Sequence, residues 1–228
     1  MPNIRQSFHD ELAGLEQELL HMGTMTTTML QQAVESVQTG DMALAEAVLV
    51  QDDAVDELDR KLEAQCIRLL ALQQPLARDL RLIESALKVI TDLERIGDHA
   101  VDIAKISRKL TQEFYQKAPL VDIGPLAQIA QMMVSESLES LVRHDSTLAS
   151  KVCDDDDMAD DAFKALREEL LTMTAEQPSY VFPASYLLLA VVYLERIADH
   201  ATNIAERVYY IETGDRKPLG RRGERPEL

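Results

Sequence analysis

Apolar residues recur at three- and four-residue steps along most of the chain. Leu58, Leu62, Leu69 and Leu72 form one series, and Ile83, Leu87, Ile90, Leu93 and Val101 form another. This is the spacing of one helix face; the two-residue alternation of a strand is absent. Breakers are few: Gly40-Asp41, Gln74-Pro75, Pro119 to Pro125, His144-Asp145 and Gln177-Pro178. Between them the pattern predicts an all-α protein of six helices, at about 5–39, 42–73, 76–113, 124–143, 146–174 and 179–213.

The second half repeats the first. "LERIGDHA" at 93–100 returns as "LERIADHA" at 194–201, 101 residues on, changed only at Gly97 versus Ala198. Gln74-Pro75 returns as Gln177-Pro178 after 103 residues, and "DDAVD" at 52–56 resembles "DDMAD" at 156–160 after 104. Three features in one order at nearly one spacing argue for two tandem, pseudo-symmetric three-helix bundles, 1–118 and 119–214. Residues 215–228, "DRKPLGRRGERPEL", are basic, carry Gly and Pro, and have nothing to bury. They are expected to form a disordered tail.

Distances from the turns bring chemistry into the pattern. Asp52 and Asp56 precede the first turn by about as many residues as Glu94 and Asp98 follow it, roughly 20. Asp156 and Asp160 stand in the same relation to Glu195 and Asp199 around the second turn. At ~1.5 Å per residue, all lie ~30 Å from their turns, so each hairpin sets four carboxylates level. Residues four apart share a helix face, and Glu94 falls at the margin of the apolar face, where a neighbouring helix can reach it. Asp102 continues that stripe, and Asn203 takes its place in the second repeat. Unit charges 4 Å apart repel by ~4 kcal/mol at an effective dielectric of 20, so a proton or a cation must relieve such a cluster. All-oxygen donors favour Mg²⁺, Ca²⁺, Mn²⁺ or iron. His99 and His200 lie well round from the glutamates, beside Arg95 and Arg196. They are expected to face a partner or to form salt bridges on a second interface, not to ligate. Ile96, Ile103, Ile197 and Ile204 lie almost opposite the acids, so these helices are apolar on more than one side, from burial in the bundle or from a dimer surface.

Composition narrows the partners. With 40 acidic against 23 basic residues, the formal net charge is −17. Nucleic acid is excluded as a partner, because phosphate contacts need a basic face; cations or basic protein surfaces fit better. Cys66 and Cys153 have no CxxC companion and are expected to be reduced thiols. The first residues show no secretory signal, and the apolar run "YLLLAVVYL" at 186–194 stops at Glu195, short of the ~20 residues of a membrane span. A cytoplasmic protein without direct membrane insertion is expected.

The motifs now on the page resemble the PhoU family of phosphate-transport accessory and regulatory proteins. The resemblance runs over nearly the whole chain up to about Asp215. It is carried by "QQPLARDLRLIESALKVITDLERIGDHAVDIA" at 73–104 and "YLERIADHATNIAERVYYIETG" at 193–214, with "MG" at 22–23 and "GDMALAEAV" at 40–48. It implies two three-helix bundles with metal clusters held by paired E(D)-x-x-x-D motifs. Asp52, Asp56, Glu94 and Asp98 fill the first motif pair; Asp156, Asp160, Glu195 and Asp199 fill the second. Asp102 and Asn203 are additional candidates, and the metal stays open among iron, manganese, magnesium and zinc. The resemblance further implies negative regulation of phosphate uptake and of the phosphate-starvation response. This would act through contacts with the ATPase subunit of the phosphate transporter and with a sensor histidine kinase, in a homodimer. Arg78, Asp79, Arg81, Arg95 and Arg196 are the candidate partner-binding residues. "SYVFPAS" follows Pro178 where "ARDLR" belongs, so the two halves are not expected to make identical partner contacts.

Two rivals remain. A di-iron carboxylate enzyme would need Glu-x-x-His on two helices, but Gly97 and Ala198 stand three residues after the glutamates. With no nucleophile–base pair, phosphate loop or redox CxxC, the chain is not expected to be an enzyme. A purely structural helical adaptor would carry the same acids without metal.

Overall fold

The computed structural model describes residues 4–73, 75–114 and 121–216. Its helices are α1 (Ile4–Thr39), α2 (Met42–Gln73), α3 (Ala77–Phe114), α4 (Gly124–Arg143), α5 (Ser146–Glu176) and α6 (Val181–Thr213). A 3-10 turn, Pro178–Tyr180, precedes α6, which therefore starts two residues later than its apolar period predicts. Gln74, the boundary at 118/119 and residues 217–228 of the expected tail lie outside the described residues. Of the tail, Arg216 is described, and it is not loose. Its guanidinium lies 4.3 Å over the Tyr210 ring, and Nη2 is 3.2 Å from Glu84 Oε2.

Turn chemistry ends and restarts the helices. Gly40 closes α1 in the left-handed region at φ 72°, its N–H reaching Ser36 O at 2.9 Å. Asp41 Oδ1 then accepts the Ala43 N–H at 2.8 Å to start α2. His144-Asp145 does the same between α4 and α5: His144 turns at φ 52°, and Asp145 Oδ1 accepts from the N–H groups of Thr147 and Leu148.

Packing makes two layers. α2, α3, α6 and α5 lie side by side in that order, with α1 beneath α2 and α3, and α4 beneath α5 and α6. α3 and α6 share the largest interface, and among the described residues α2 and α5 do not touch. α3 and α6 run antiparallel: Arg78 meets Glu212, Asp92 meets His200, and Phe114 meets Tyr186. Ile96, Ile103, Ile197 and Ile204 are each 0% exposed. Their second apolar side is covered within the chain, which removes the sequence argument for a dimer surface there. An 18-residue stretch within Pro178–Thr213 has mean hydropathy 1.5, apolar enough to pass for a membrane span by length and composition, and 44% of it is buried inside the chain. α6 packs against α3, α4 and α5 as a core helix.

Candidate functional site

The first acidic cluster lies between α2 and α3. Burial lifts the Asp52 carboxyl above its ordinary value, and the charges of Asp56 and Asp98 lift it further. Burial likewise lifts Glu94, helped by Asp98, Asp59 and Asp56 and opposed by Arg95. The charge of Asp98 thus acts on Asp52, and those of Asp56 and Asp59 act on Glu94, the pairing that counting from the turn predicts for antiparallel helices. Asp59 belongs with this cluster, raised by burial, Glu63 and Asp56. Counting only D-x-x-x-D missed Asp59. Its place seven residues after Asp52, on the same helix face, was the available signal.

Arg95 supplies the present counter-charge. Its Nη1 lies 3.0 Å from Asp98 Oδ2 and its Nε 3.4 Å from Glu94 Oε2. Among the described residues, no three carboxylate, imidazole or thiol groups form a ready-made ion cage. The all-oxygen donor set nevertheless has the chemistry that suits a hard cation. Such an ion would have to draw the oxygens inward and displace Arg95.

The second cluster is less regular. Asp156 Oδ1 accepts from Thr202 Oγ1 at 3.3 Å, one turn beyond Asp199. Lys164 lies 3.9 Å from Asp160 and 3.4 Å from Asp161. In both clusters the cation shares a helix with the acids it meets, Arg95 on α3 and Lys164 on α5.

Between the clusters runs the α3–α6 seam. The expected salt bridge of His200 forms within the chain: Nδ1 is 2.8 Å from Asp92 Oδ1, which also accepts from Asn203 Nδ2 at 3.1 Å. One hundred and one residues away in register, Tyr193 replaces Asp92 and stacks on His99 at 5.2 Å. His99 and His200 stand 5.6 Å apart on the pseudo-twofold axis. Burial above all, then the nearby His200 and Arg196, push His99 down to about 4, so it is neutral. Tyr193 is raised by burial and by Asp102, which accepts its hydrogen bond. Asp102 and Asn203 therefore turn toward the seam, and Asp102 also lies 3.5 Å from Lys105.

Of the candidate partner-binding residues, Arg78 and Arg81 work inside the chain. Arg78 Nη2 reaches Glu212 Oε1 at 2.7 Å, and Arg81 donates to Ile211 O from Nε at 3.1 Å and Nη2 at 2.8 Å. Asp79 sits in the first turn of α3, its charge beside Arg78. Arg196 is exposed next to His99 and Tyr193.

A family model described as "PhoU domain" matches residues 19–107 and 123–208, one copy in each bundle. A Clostridium acetobutylicum protein named "Phosphate-specific transport system accessory protein PhoU homolog" is 37% identical over 216 residues, 94% of this chain and 98% of the relative. A Pseudomonas aeruginosa protein of the same name is 36% identical over 212 residues, 93% and 88% of the two chains. The crystal structure of PhoU from Pseudomonas aeruginosa superposes at TM-score 0.88 with 36% identity, over 91% of this chain and all of that one. The phosphate transport system regulatory protein PhoU from Streptococcus pneumoniae gives TM-score 0.84 with 30% identity, over 93% of this chain and 100% of that one.

Proposed function

This chain belongs to the PhoU family, and from that premise we propose that it is a negative regulator of inorganic phosphate transport and of the phosphate-starvation response. An accessory and regulatory role in phosphate transport follows from relatives that match along nearly its whole length. The observation that carries the finer reading is the doubled domain, each copy bringing its own pair of acidic motifs. We propose that the regulator acts in the cytoplasm by protein contacts, with the transporter ATPase and a sensor histidine kinase as partners and a homodimer as the working form. We read the chain as a binding protein and not an enzyme, in keeping with relatives named as accessory proteins of a transport system.

Each acidic face is proposed to hold a cation. When bound, the ion would neutralise repelling carboxylates and bring α2 and α3, or α5 and α6, into one fixed register. Asp52, Asp56, Glu94 and Asp98 would hold it in the first bundle; Asp156, Asp160, Glu195 and Asp199 would hold it in the second. Iron, manganese, magnesium and zinc are the ions to try.

Deletion of the encoding gene tests the regulatory reading. Raised phosphate uptake and a starvation response switched on in phosphate-rich medium are expected, and unaltered values of both reject it. Calorimetry with Mn²⁺, Mg²⁺ and iron tests the site separately, on wild type and on Glu94→Gln with Asp98→Asn. Identical binding by both proteins removes the first-bundle site, and no binding by either leaves a metal-independent helical adaptor.

A further inference from the structure

The α4–α5 turn carries a residue that its counterpart in the first repeat does not explain. Gly40-Asp41 and His144-Asp145 are 104 residues apart, the same offset as the acidic pentads, and they do the same job at a helix junction. Left-handed backbone suits glycine and is disfavoured for residues with a Cβ. A histidine in glycine's place therefore points to a use for its side chain.

That side chain reaches out of its own repeat. His144 Nδ1 lies 3.2 Å from Glu212 Oε1 of α6, and Nε2 lies 4.0 Å from Glu16 Oε1 of α1. Arg78, at the start of α3, holds the same Glu212 oxygen at 2.7 Å. Glu16, Glu212 and Arg78 are the charged groups facing the ring from α1, α6 and α3. On its own side, Arg143 is occupied by Glu139 at 2.7 Å and Asp145 caps α5. One imidazole thus stands where both bundles meet. Glu16 is raised above its ordinary value, chiefly by burial and further by Glu212, against the pull of His144 and Arg78.

We propose that His144 is a pH-responsive clasp, whose imidazolium bridges Glu16 of the first bundle and Glu212 of the second. The imidazolium carries an N–H at both ring nitrogens and a positive charge between the two carboxylates, whereas the neutral ring has one N–H and no charge to hold them. Lower pH therefore fastens the bundles at this end, and higher pH loosens them.

Thermal unfolding of the full chain between pH 8 and pH 5.5 tests the clasp. His144→Asn is the main variant, because asparagine tolerates the left-handed turn. Other acids respond to pH in both proteins, so the difference between them isolates the ring. As pH falls, the wild-type Tm is expected to gain about 2 °C on the variant. Glu16→Gln, which keeps the histidine and its contact with Glu212, is expected to lose part of that gain, and the double variant to lose no more than His144→Asn alone. A Tm difference that stays constant with pH overturns the proposal. So does a gain that His144→Asn abolishes and Glu16→Gln preserves in full.

Discussion

Asp92 and His200 meet at 2.8 Å across the seam between the two repeats, while the positions that mirror them, Tyr193 and His99, meet by ring stacking. One contact is polar and the other largely apolar, at the same place in an otherwise repeated architecture. Asp92 also accepts from Asn203, so a single oxygen serves two donors of α6. Asp92→Leu strips both donors of their acceptor. It is expected to destabilise the chain by roughly 1–3 kcal/mol, read from the urea midpoint. The mirror change, Tyr193→Leu, keeps an apolar body against His99 and is expected to lose less. Equal losses would show that the seam is not divided in this way.

The acidic face of the first bundle opposes folding at neutral pH. Asp52, Asp59 and Glu94 all have raised folded values, so the native state takes up protons more readily than the unfolded chain. By linkage, their contribution improves as pH falls through those raised values and is unfavourable once they are ionised. Glu94→Gln is therefore expected to stabilise the protein at pH 7 by a few tenths of a kcal/mol for each like-charge contact removed. That advantage should shrink as the pH approaches the carboxylate range. Unfolding curves at pH 7 and pH 5 check both signs. A variant less stable than wild type at pH 7 would mean that Arg95, not repulsion, governs this residue.

Gly97 is the one difference between the repeated octets, and space does not demand it. A methyl group there would meet Val55 Cγ1 at 3.5 Å and Thr26 Cγ2 at 3.6 Å, ordinary contacts, and Ala198 already fills the equivalent place. Alanine also loses less backbone freedom in a helix. Gly97→Ala is expected to stabilise by about 0.5–1 kcal/mol, measured by the same urea titration. A destabilised variant would reveal that α1, α2 and α3 cannot give even the little that the methyl asks.

Cys66 is fully buried, and burial pushes its thiol up to about 12. The thiolate is the reactive form, so the native protein at pH 8 is expected to leave Cys66 unlabelled by a maleimide until denaturant is added. Mass spectrometry of the labelled peptide reads this out; prompt native labelling would mean that α2 opens readily.

What could be read from the chain, and what could not, follows from the range of the forces involved. Helix ends are local: Gly40, Asp41, His144 and Asp145 act on neighbours within one turn, and those boundaries were legible. The level of Asp52 with Asp98 and of Asp56 with Glu94 follows from counting along two helices joined by a short turn. The α3–α6 seam joins residues a hundred positions apart. Helical period shows that Ile96 and Ile197 lie on a second apolar side without showing what covers it. For the same reason the partners of His200, Asn203, Arg78 and Arg81 turned out to be inside the chain. Their polarity was visible, but the carbonyl and carboxylates waiting for it were not.

Arg81 gives the sharpest test of that internal use. Both its Nε and Nη2 donate to Ile211 O, a carbonyl in the last turn of α6 that no helical N–H can satisfy. The guanidinium therefore ties the start of α3 to the end of α6, and it lies 6.0 Å from the Tyr210 ring centroid. Lysine keeps the charge but cannot fork two donors onto one oxygen in the same plane. Arg81→Lys is expected to lose about 1 kcal/mol and Arg81→Ala somewhat more. Amide hydrogen exchange should accelerate in the last two turns of α6 and little elsewhere, because the bond protects an end and not the core. If Arg81 instead served a partner, exchange in the isolated chain would be unchanged by either substitution, and only complex formation would suffer.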